Sequence, residues 1–568
     1  MSEHDLRPIV LANDVRGVAG ETLDEGVARA FGAAFADSLE AKDLILGHDM
    51  RLSSPQLARA FAEGAVRRGA TVGLAGLSAT DQLYCASGLY RAAGAMITAS
   101  HNPGRDNGIK LCLPGARPIS RGTGLDDLRV RAEQLLDEGE ISEIPGGRLQ
   151  ELDTLEDYVA TVLKLAPVPS TRRLKVVVDA GSGMAGLTMP AVAAQLPSVE
   201  MIGLHLELDG TFPHHPADPT DPANLTDLSA RVREERADLG LAFDGDADRC
   251  TVVDETGAPV PPSAITALIA EREIARARAA GEERPAVVAN VVSSRHVAEA
   301  VEAAGGRFVV TPVGHSLIKA IMEREDAVLG GEHSAHYYFR DFFRADSGML
   351  AALHVLAALA ESTERMSALV AGHTPYAASG EINRRPADAA ATREAVREAF
   401  APREGVAVDE LDGLTVRHWG ASGDQWWFSL RSSNTQQALR LNVEAADEGT
   451  MQAVRDEVLG MIGADADEVR VPAQGGSHGI ATEDTVHQDQ VHHQDQDLEH
   501  DQDQNAASGG TGFDGPAWLR RVLRCPQCGA ELVDARGEDG ASRVLRCTDQ
   551  GHEYRIRGGI PVLIAGRD

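Results

Sequence analysis

Lysine is nearly missing from this chain: Lys42, Lys110, Lys164, Lys175 and Lys319 are the only five in 568 residues. Arginine supplies most of the positive charge. Even so, 86 acidic residues outnumber 54 basic ones, for a formal net charge of −32. A field of that sign opposes nucleic acid and anionic membranes as general partners. An anionic ligand would need a local basic focus, so loops that gather Arg and Lys carry information. No apolar run approaches the ~18 residues of a membrane-spanning helix. The opening residues MSEHDLRPIV show neither a basic leader nor an apolar core, so a secretory signal is not expected and the cytoplasm is. Cysteine is also sparse. Cys85, Cys112 and Cys250 are scattered, whereas Cys525, Cys528 and Cys547 crowd into the last stretch. This is no disulfide framework; it reads as a reduced enzyme followed by a metal module.

Apolar residues are themselves missing from the late segment QGGSHGIATEDTVHQDQVHHQDQDLEHDQDQNAASGG. Such a stretch cannot bury enough surface to offset its ordering entropy, and we read 473–515 as a disordered linker. Its histidines read as solvated spacer rather than as a metal site. Before it, β-like runs (LILGHD, KVVVDA, ADLGLAF, AVVANVV, AVLGG) alternate with Ala-rich helical stretches. That alternation predicts α/β units around mostly parallel sheets, with ligands at the loops after the strands. Weak self-similarity predicts three related α/β domains over 1–150, 151–255 and 256–372. LTVRHW, WWFSLRSS and ALRLNVEA predict a smaller α+β domain over 373–472. A small β-rich module over 516–568 ends the chain.

Four loops hold the residue types that chemistry needs. In AMITASHNPGRDNGIKL a short strand ends at Ser100-His101, Pro103-Gly104 force a turn, and Asn107-Gly108 is expected to make a second one that returns Lys110 to the same place. A serine beside a histidine and a lysine suits a nucleophile or a phosphoryl carrier; a capped polar turn is the competing reading. In FDGDADR, Asp244, Asp246 and Asp248 follow a strand at alternating positions and can converge on a hard cation, Mg²⁺ or Ca²⁺. Glu255 falls where an EF-hand would end, but Arg249 replaces its turn glycine and the flanks are strands. In GGEHSAHYYF, Glu332, Ser334 and His336 recur at every second position; in an extended segment they share a side and suit sugar hydroxyls. Arg431-Ser432-Ser433-Asn434-Thr435, with Arg440 nearby, mixes groups that suit a phosphate dianion. A fifth loop, Gly181-Ser182-Gly183-Met184-Ala185-Gly186, matches a dinucleotide fingerprint, with Glu207 and Asp209 roughly 20 residues on. It supports a dinucleotide-dependent enzyme as the rival reading, although a tight strand-to-helix turn needs glycines without any ligand.

Together the four loops resemble those of the α-D-phosphohexomutase family over roughly residues 7–471, in the family's order. TASHNP resembles its phosphoserine loop, DGDADR its metal loop, GEHSAH its sugar loop and RSSNT its phosphate loop. Asn13-Asp14-Val15-Arg16-Gly17 resembles a basic motif near the family's N-terminus, and TPVGHSLIK, with His315, another substrate-contacting loop. GEHSAH is closest to the phosphomannomutase/phosphoglucomutase branch, whose pattern is Gly-Glu-Met-Ser-Gly-His; His333 and Ala335 depart from it. RSSNTQQ lacks the family's Glu-Pro after Asn-Thr.

The resemblance implies an intramolecular phosphotransferase that interconverts hexose 6-phosphate and hexose 1-phosphate, mannose first and glucose second, with a hexose 1,6-bisphosphate as intermediate and activator. Ser100 would carry the phosphoryl group, and Mg²⁺ would lie on Asp244, Asp246, Asp248 and a phosphoserine oxygen. Arg249 and Arg16 would stabilise its charge, with His101 and Lys110 as acid, base or orienting groups. His315, Glu332, Ser334 and His336 would hold the sugar. Arg431, Ser433, Asn434 and Thr435 would hold the distal phosphate. Phosphoglucosamine mutase and a non-catalytic phosphosugar sensor are alternatives on the same fold.

The C-terminal module resembles the small zinc-binding partner protein of tRNA and release-factor methyltransferases, including the ending Tyr…Gly-Ile-Pro-Val-Leu. Cys525-Pro526-Gln527-Cys528 is a zinc-knuckle spacing and Cys547 begins a second, but Gln550 replaces the fourth cysteine. A Cys₃His site completed by His552 and a metal-free, zinc-ribbon-like fold are the two readings. The module reads as a structural appendage or one that binds a protein partner.

Overall fold

The structure, a computed structural model, describes residues 4–420, 423–432 and 438–463, and 532–536, 543–548, 553–557 and 560–561 near the C-terminus. The chain divides into two compact units, Met1–Gly476 and Ser477–Asp568.

Four sheets build the first unit. The first centres on the parallel strands Asp43–His48, Thr71–Leu77 and Ala93–Ile97, with Arg148–Glu151 parallel at one edge. Asp106–Leu113 pairs antiparallel with Ala93–Ile97 on one side and Val15–Val18 on the other. Asn107 and Gly108 therefore lie inside a strand and not in the turn expected of them. The chain reverses earlier, between Thr98 and Arg105, and the antiparallel register pairs Met96 with Lys110. The second sheet runs in the order Pro259–Val260, Cys250–Asp254, Leu239–Phe243, Leu174–Asp179, Val199–Leu204. Its last three strands are parallel. The third mixes parallel Arg307–Thr311, Ala286–Asn290 and Leu329–Gly331 with antiparallel Tyr337–Phe339 and Ala345–Asp346. The fourth is wholly antiparallel, Ala377–Arg384, Leu439–Ala445, Trp426–Ser432, Leu414–His418, Ala407–Asp409, against helices Ala389–Phe400 and Glu448–Ile462.

Patterning explains the layers. The central strands Ala93–Ile97, Leu174–Asp179, Leu239–Phe243 and Ala286–Asn290 are near-continuous buried apolar runs, as parallel strands covered on both faces are. Helix Gly348–Glu361 is apolar all round and buried from Gly348 to Ala360. It lies within one core shared by the second and third sheets. The first and fourth sheets keep cores of their own. Among the described residues, no helix is long and apolar enough to cross a membrane. In the second unit, Leu532–Arg536, Arg543–Cys547, Glu553–Arg557 and Ile560–Pro561 form an antiparallel sheet, with Cys547 buried. The expected linker, Cys525, Cys528 and His552 lie outside the described residues.

Helices Glu25–Ser38 and Ser54–Arg67 cross in the first sheet's core at backbone contact. A β-carbon on Gly64 would meet the Arg29 carbonyl oxygen at 1.9 Å, and one on Gly32 the Phe61 carbonyl oxygen at 2.0 Å. Gly64→Ala should therefore lose about 1–3 kcal/mol of stability in denaturant unfolding, despite the ~1 kcal/mol helical preference for alanine over glycine.

Candidate active site

The loop that leaves the carboxyl end of strand Ala93–Ile97 puts Ser100 at φ 51°. A non-glycine residue in the left-handed region must be held. Thr98 Oγ1 accepts from the Ser100 amide at 2.9 Å. The larger restraint is Arg51, which is completely buried. Its guanidinium donates to four carbonyls of this loop: Ser100 and Asn102 at 2.7 Å each, Pro103 at 2.7 Å and Asp106 at 2.9 Å. Asp49 pairs with it at 3.0 Å, and Phe212 packs against the guanidinium with its ring centre 5.1 Å away.

The metal-loop candidate reaches the same point from the second sheet. It joins strands Leu239–Phe243 and Cys250–Asp254, which disposes of an EF-hand. Gly245 is needed for the approach: a β-carbon there would meet the Ser100 carbonyl oxygen at 2.4 Å. The Ser100 hydroxyl donates to Asp244 Oδ2 at 2.7 Å and lies 3.3 Å from His101 Nδ1. Lys110 Nζ donates to Asp246 at 2.7 Å and Asp248 at 2.6 Å. The Thr80 hydroxyl donates to Asp246 at 2.6 Å. Arg249 bonds Asp244 through its amide (3.1 Å) and Nε (3.0 Å) and pairs with Asp218 at 3.3 Å. Arg16, held by Asp14 at 2.9 Å, adds its field to Asp246 and Asp248.

These groups polarise one another. Burial pushes the Asp244 carboxyl well up; Arg249 opposes this, and Asp248 and Asp246 reinforce it. Burial raises Asp246 too, but the Lys110 charge overrides it and the net shift is well below the ordinary value. Burial lowers Lys110, yet Asp246 and Asp248 carry it well above its usual range, so it stays an ammonium ion. Lost hydration, then the Arg249 charge, push His101 down to about 3, although the residue stays solvent-accessible.

The donor set fits a hard divalent cation. Asp246 Oδ1 and Asp248 Oδ1 are buried with no hydrogen-bond partner. One oxygen each of Asp244, Asp246 and Asp248 lies within 4.8 Å of the others. An all-oxygen carboxylate set that leaves positions for water or phosphate oxygens suits Mg²⁺.

The sugar-loop candidate differs from the extended segment expected. Ala335 has φ 63° and folds residues 332–336 into a turn closed by Ala335 N to Glu332 O (3.1 Å) and Glu332 N to His336 O (3.0 Å). Glu332, Ser334 and His336 therefore do not project from one strand face. Glu332 is buried and accepts from Tyr338 at 2.6 Å, Ser334 Oγ bonds His336 Nδ1 at 2.9 Å, and His336 Nε2 lies 3.6 Å from Asp248. His315 opens helix His315–Glu325. In the fourth sheet Arg431 is buried, with loose ion pairs to Asp412 (3.5 Å) and Glu381 (3.8 Å) and an Nε lacking a hydrogen-bond partner. Ser433, Asn434 and Thr435 lie outside the described residues.

The glycine-rich turn after Leu174–Asp179 does not offer its amides. Gly181 N bonds Asp179, Ser182 N the His205 carbonyl, Gly183 N the Ala180 carbonyl and Met184 N the Gly245 carbonyl. Those four amides are spent inside the fold, and the Met184 bond ties the turn to the metal-loop candidate. Sequence reasoning missed Arg51, Thr80 and Lys319. Lys319 is buried, pairs with Asp346 at 2.8 Å and lies 4.4 Å from the Tyr84 ring centre. Lysine scarcity was its signal, since two of the five lysines, Lys110 and Lys319, are buried beside carboxylates. Arg51 had no signal beyond an arginine following the strand LILGHD.

Comparison with known proteins gives this arrangement a family. Family models match in order: phosphoglucomutase/phosphomannomutase alpha/beta/alpha domain I over residues 8–126, domain II over 156–257, domain III over 261–376 and the C-terminal domain over 381–461. A phosphomannomutase of Salmonella montevideo is 38% identical over 460 residues, covering 79% of this chain and 98% of that one. The "Phosphohexose mutases" of Xanthomonas campestris are 37% identical over 455 residues, covering 80% of this chain and 98% of the relative. The crystal structure of a phosphoglucomutase/phosphomannomutase family protein from Burkholderia thailandensis superimposes with a TM-score of 0.71 at 30% identity, covering 81% of this chain and 98% of that one. The chain belongs to the phosphoglucomutase/phosphomannomutase family and is an intramolecular phosphotransferase of the isomerase class.

Two outcomes follow from the geometry. Because burial raises Asp244, Mg²⁺ must displace a proton to bind fully. Affinity should fall with decreasing pH, and the calorimetric enthalpy of Mg²⁺ binding should vary with buffer ionisation enthalpy. Arg51→Met leaves Asp49 buried and frees the serine loop; it should cost about 3–5 kcal/mol in urea unfolding and depress turnover in the surviving native protein.

Proposed function

We propose that the chain interconverts mannose 6-phosphate and mannose 1-phosphate, accepting the glucose phosphates second, by passing a phosphoryl group through Ser100. One observation carries this reading: a strained serine hydroxyl 2.7 Å from Asp244, in a loop clamped by Arg51, faces three convergent carboxylates and two buried cations. The mannose assignment is supported by the phosphomannomutase named among the relatives, and the breadth toward glucose by the phosphohexose mutases of Xanthomonas.

The sugar hydroxyl oxygen attacks the phosphorus of phospho-Ser100. The new O–P bond forms as the Ser100 Oγ–P bond breaks, and the hydroxyl proton passes through neutral His101, whose Nδ1 lies 3.3 Å from Ser100 Oγ, to the serine oxygen as it leaves. Lys110, fixed as an ammonium ion, and Arg249, whose Nη2 is buried without a hydrogen-bond partner, meet the charge on the transferring group. When bound at Asp244, Asp246 and Asp248, Mg²⁺ supplies further neutralisation of that charge. The resulting hexose 1,6-bisphosphate turns over, and its other phosphate returns to Ser100.

Glu332, Ser334, His336 and His315 hold the sugar in both orientations. Arg431, with Ser433, Asn434 and Thr435, grips the idle phosphate, and Arg16 lies beside the reacting one. Distal binding supplies orientation, and exclusion of water protects phospho-Ser100 from hydrolysis. Composition supports a cytoplasmic enzyme, and the Cys525, Cys528 and Cys547 spacing with His552 leaves two readings of the C-terminal module, a Cys₃His zinc site or a metal-free fold, either of them a structural or partner-binding appendage.

A coupled assay of mannose 1-phosphate, glucose 1-phosphate and glucosamine 6-phosphate tests both chemistry and preference. Ser100→Ala should lose at least 10³-fold in kcat, the scale on which covalent machinery fails when its nucleophile is removed. Full activity in that variant sinks the phosphoserine mechanism, and a preference for glucosamine 6-phosphate moves the assignment to phosphoglucosamine mutase.

A further inference from the structure

Outside the cleft, the second sheet gathers a different donor set. Asp179 ends strand Leu174–Asp179, His205 follows strand Val199–Leu204, and His215 arrives on the loop between Asp209 and Asp218. One ligand atom from each lies within 4.8 Å of the others.

Three features make this more than a polar surface. His215 Nδ1 lies 2.9 Å from the Pro216 carbonyl oxygen, to which it can only donate. In the neutral ring that leaves a lone pair on Nε2, the form in which imidazole binds a metal. Yet Nε2 lies 3.0 Å from Asp179 Oδ2, two acceptors face to face unless a proton or a cation lies between. The other Asp179 oxygen already accepts from the Gly181 amide at 2.9 Å, which fixes the carboxylate. His205 is the third feature. Its side chain is only 11% exposed and its Nε2 is buried without a hydrogen-bond partner, the Asp227 carboxylate standing off at 3.5 Å. The ring is held in place by His214, stacked at 3.9 Å between centroids, and by a backbone φ of 50°.

We infer that Asp179, His205 and His215 form a second metal site, for a divalent transition metal of zinc's class, with the fourth position open. Two imidazoles and one carboxylate are a borderline-soft set that suits Zn²⁺ or Co²⁺, whereas the all-oxygen aspartate triad suits Mg²⁺. The two sites therefore sort metals by ligand type. The ion clips the ends of two strands to the loop that leads to Asp218, the partner of Arg249, so it steadies the support of the active site rather than joining its chemistry.

Co²⁺ titration of the full chain in excess Mg²⁺ reads this directly. Wild type should develop the visible bands of a four-coordinate nitrogen–oxygen site, separable from the near-ultraviolet thiolate absorption that marks any Co²⁺ on the tail cysteines. His205→Ala and His215→Gln should each lose at least tenfold in that signal at one equivalent, and His214→Ala should keep it. Absence of the bands in wild type means that a proton alone joins His215 to Asp179. Bands that persist in either folded variant assign them to the tail histidines. Either result overturns the proposal. Should a variant fail to melt cooperatively, anomalous scattering at the zinc edge from wild-type crystals grown with Zn²⁺ and Mg²⁺ decides: a peak bridging Asp179, His205 and His215 is required, and its absence refutes the site.

Discussion

Three carboxylates buried at one point are the constraint on which the rest of this structure depends. Asp244, Asp246 and Asp248 are each at most 1% exposed, and like charges so placed repel strongly in a low-dielectric site. The chain answers with cations from two directions. Lys110 comes from the first sheet and Arg249 from the loop itself, while Thr80 and Ser100 add hydroxyl donors. The first and second sheets are therefore joined across the very place where a phosphoryl group would be held. A site that must neutralise its own carboxylates is also preorganised to neutralise a transferring phosphoryl group.

The same cluster organises its neighbours. Asp248 lies near His336, and an isolated bridge pairs Arg249 with His336, so the third sheet's loop is fastened to the metal loop. The Val313 amide donates to Asp412 at 2.9 Å, and Asp412 also faces Arg431; the third and fourth sheets thus meet around Arg431. Arg51 performs the corresponding task inside the first sheet. It ties four backbone carbonyls together into a rigid serine loop, and the buried ion pair with Asp49 neutralises its charge.

Much of this was legible in the sequence because strands and their following loops leave strong marks. The apolar runs ending in TASHNP and DGDADR predicted both the strands and the residues at their ends. What failed was local geometry. Asn107-Gly108 looks like a turn, but Val15–Val18 and Ala93–Ile97 flank it and draw it into a strand. Glu332, Ser334 and His336 alternate as if extended, but Ala335 adopts a left-handed conformation that an alanine does not announce. Arg51 was invisible because its role is to bond carbonyls, and every residue has one. The glycine-rich run was misleading for a related reason: Gly183 packs closely against the Gly245 carbonyl, about 60 residues away in sequence, and Gly186 against the Leu206 carbonyl.

The central claim is that Ser100 carries the phosphoryl group and hands that same group to the sugar. The most direct measurement follows a labelled phosphate. Enzyme carrying ³²P is digested and its peptides mapped, then an identical sample is mixed with mannose 1-phosphate before digestion. The account predicts label on the peptide containing Ser100 in the first sample, and its transfer to hexose bisphosphate and hexose phosphate in the second. Label on any other residue, or label on Ser100 that stays there through many turnovers, would contradict it.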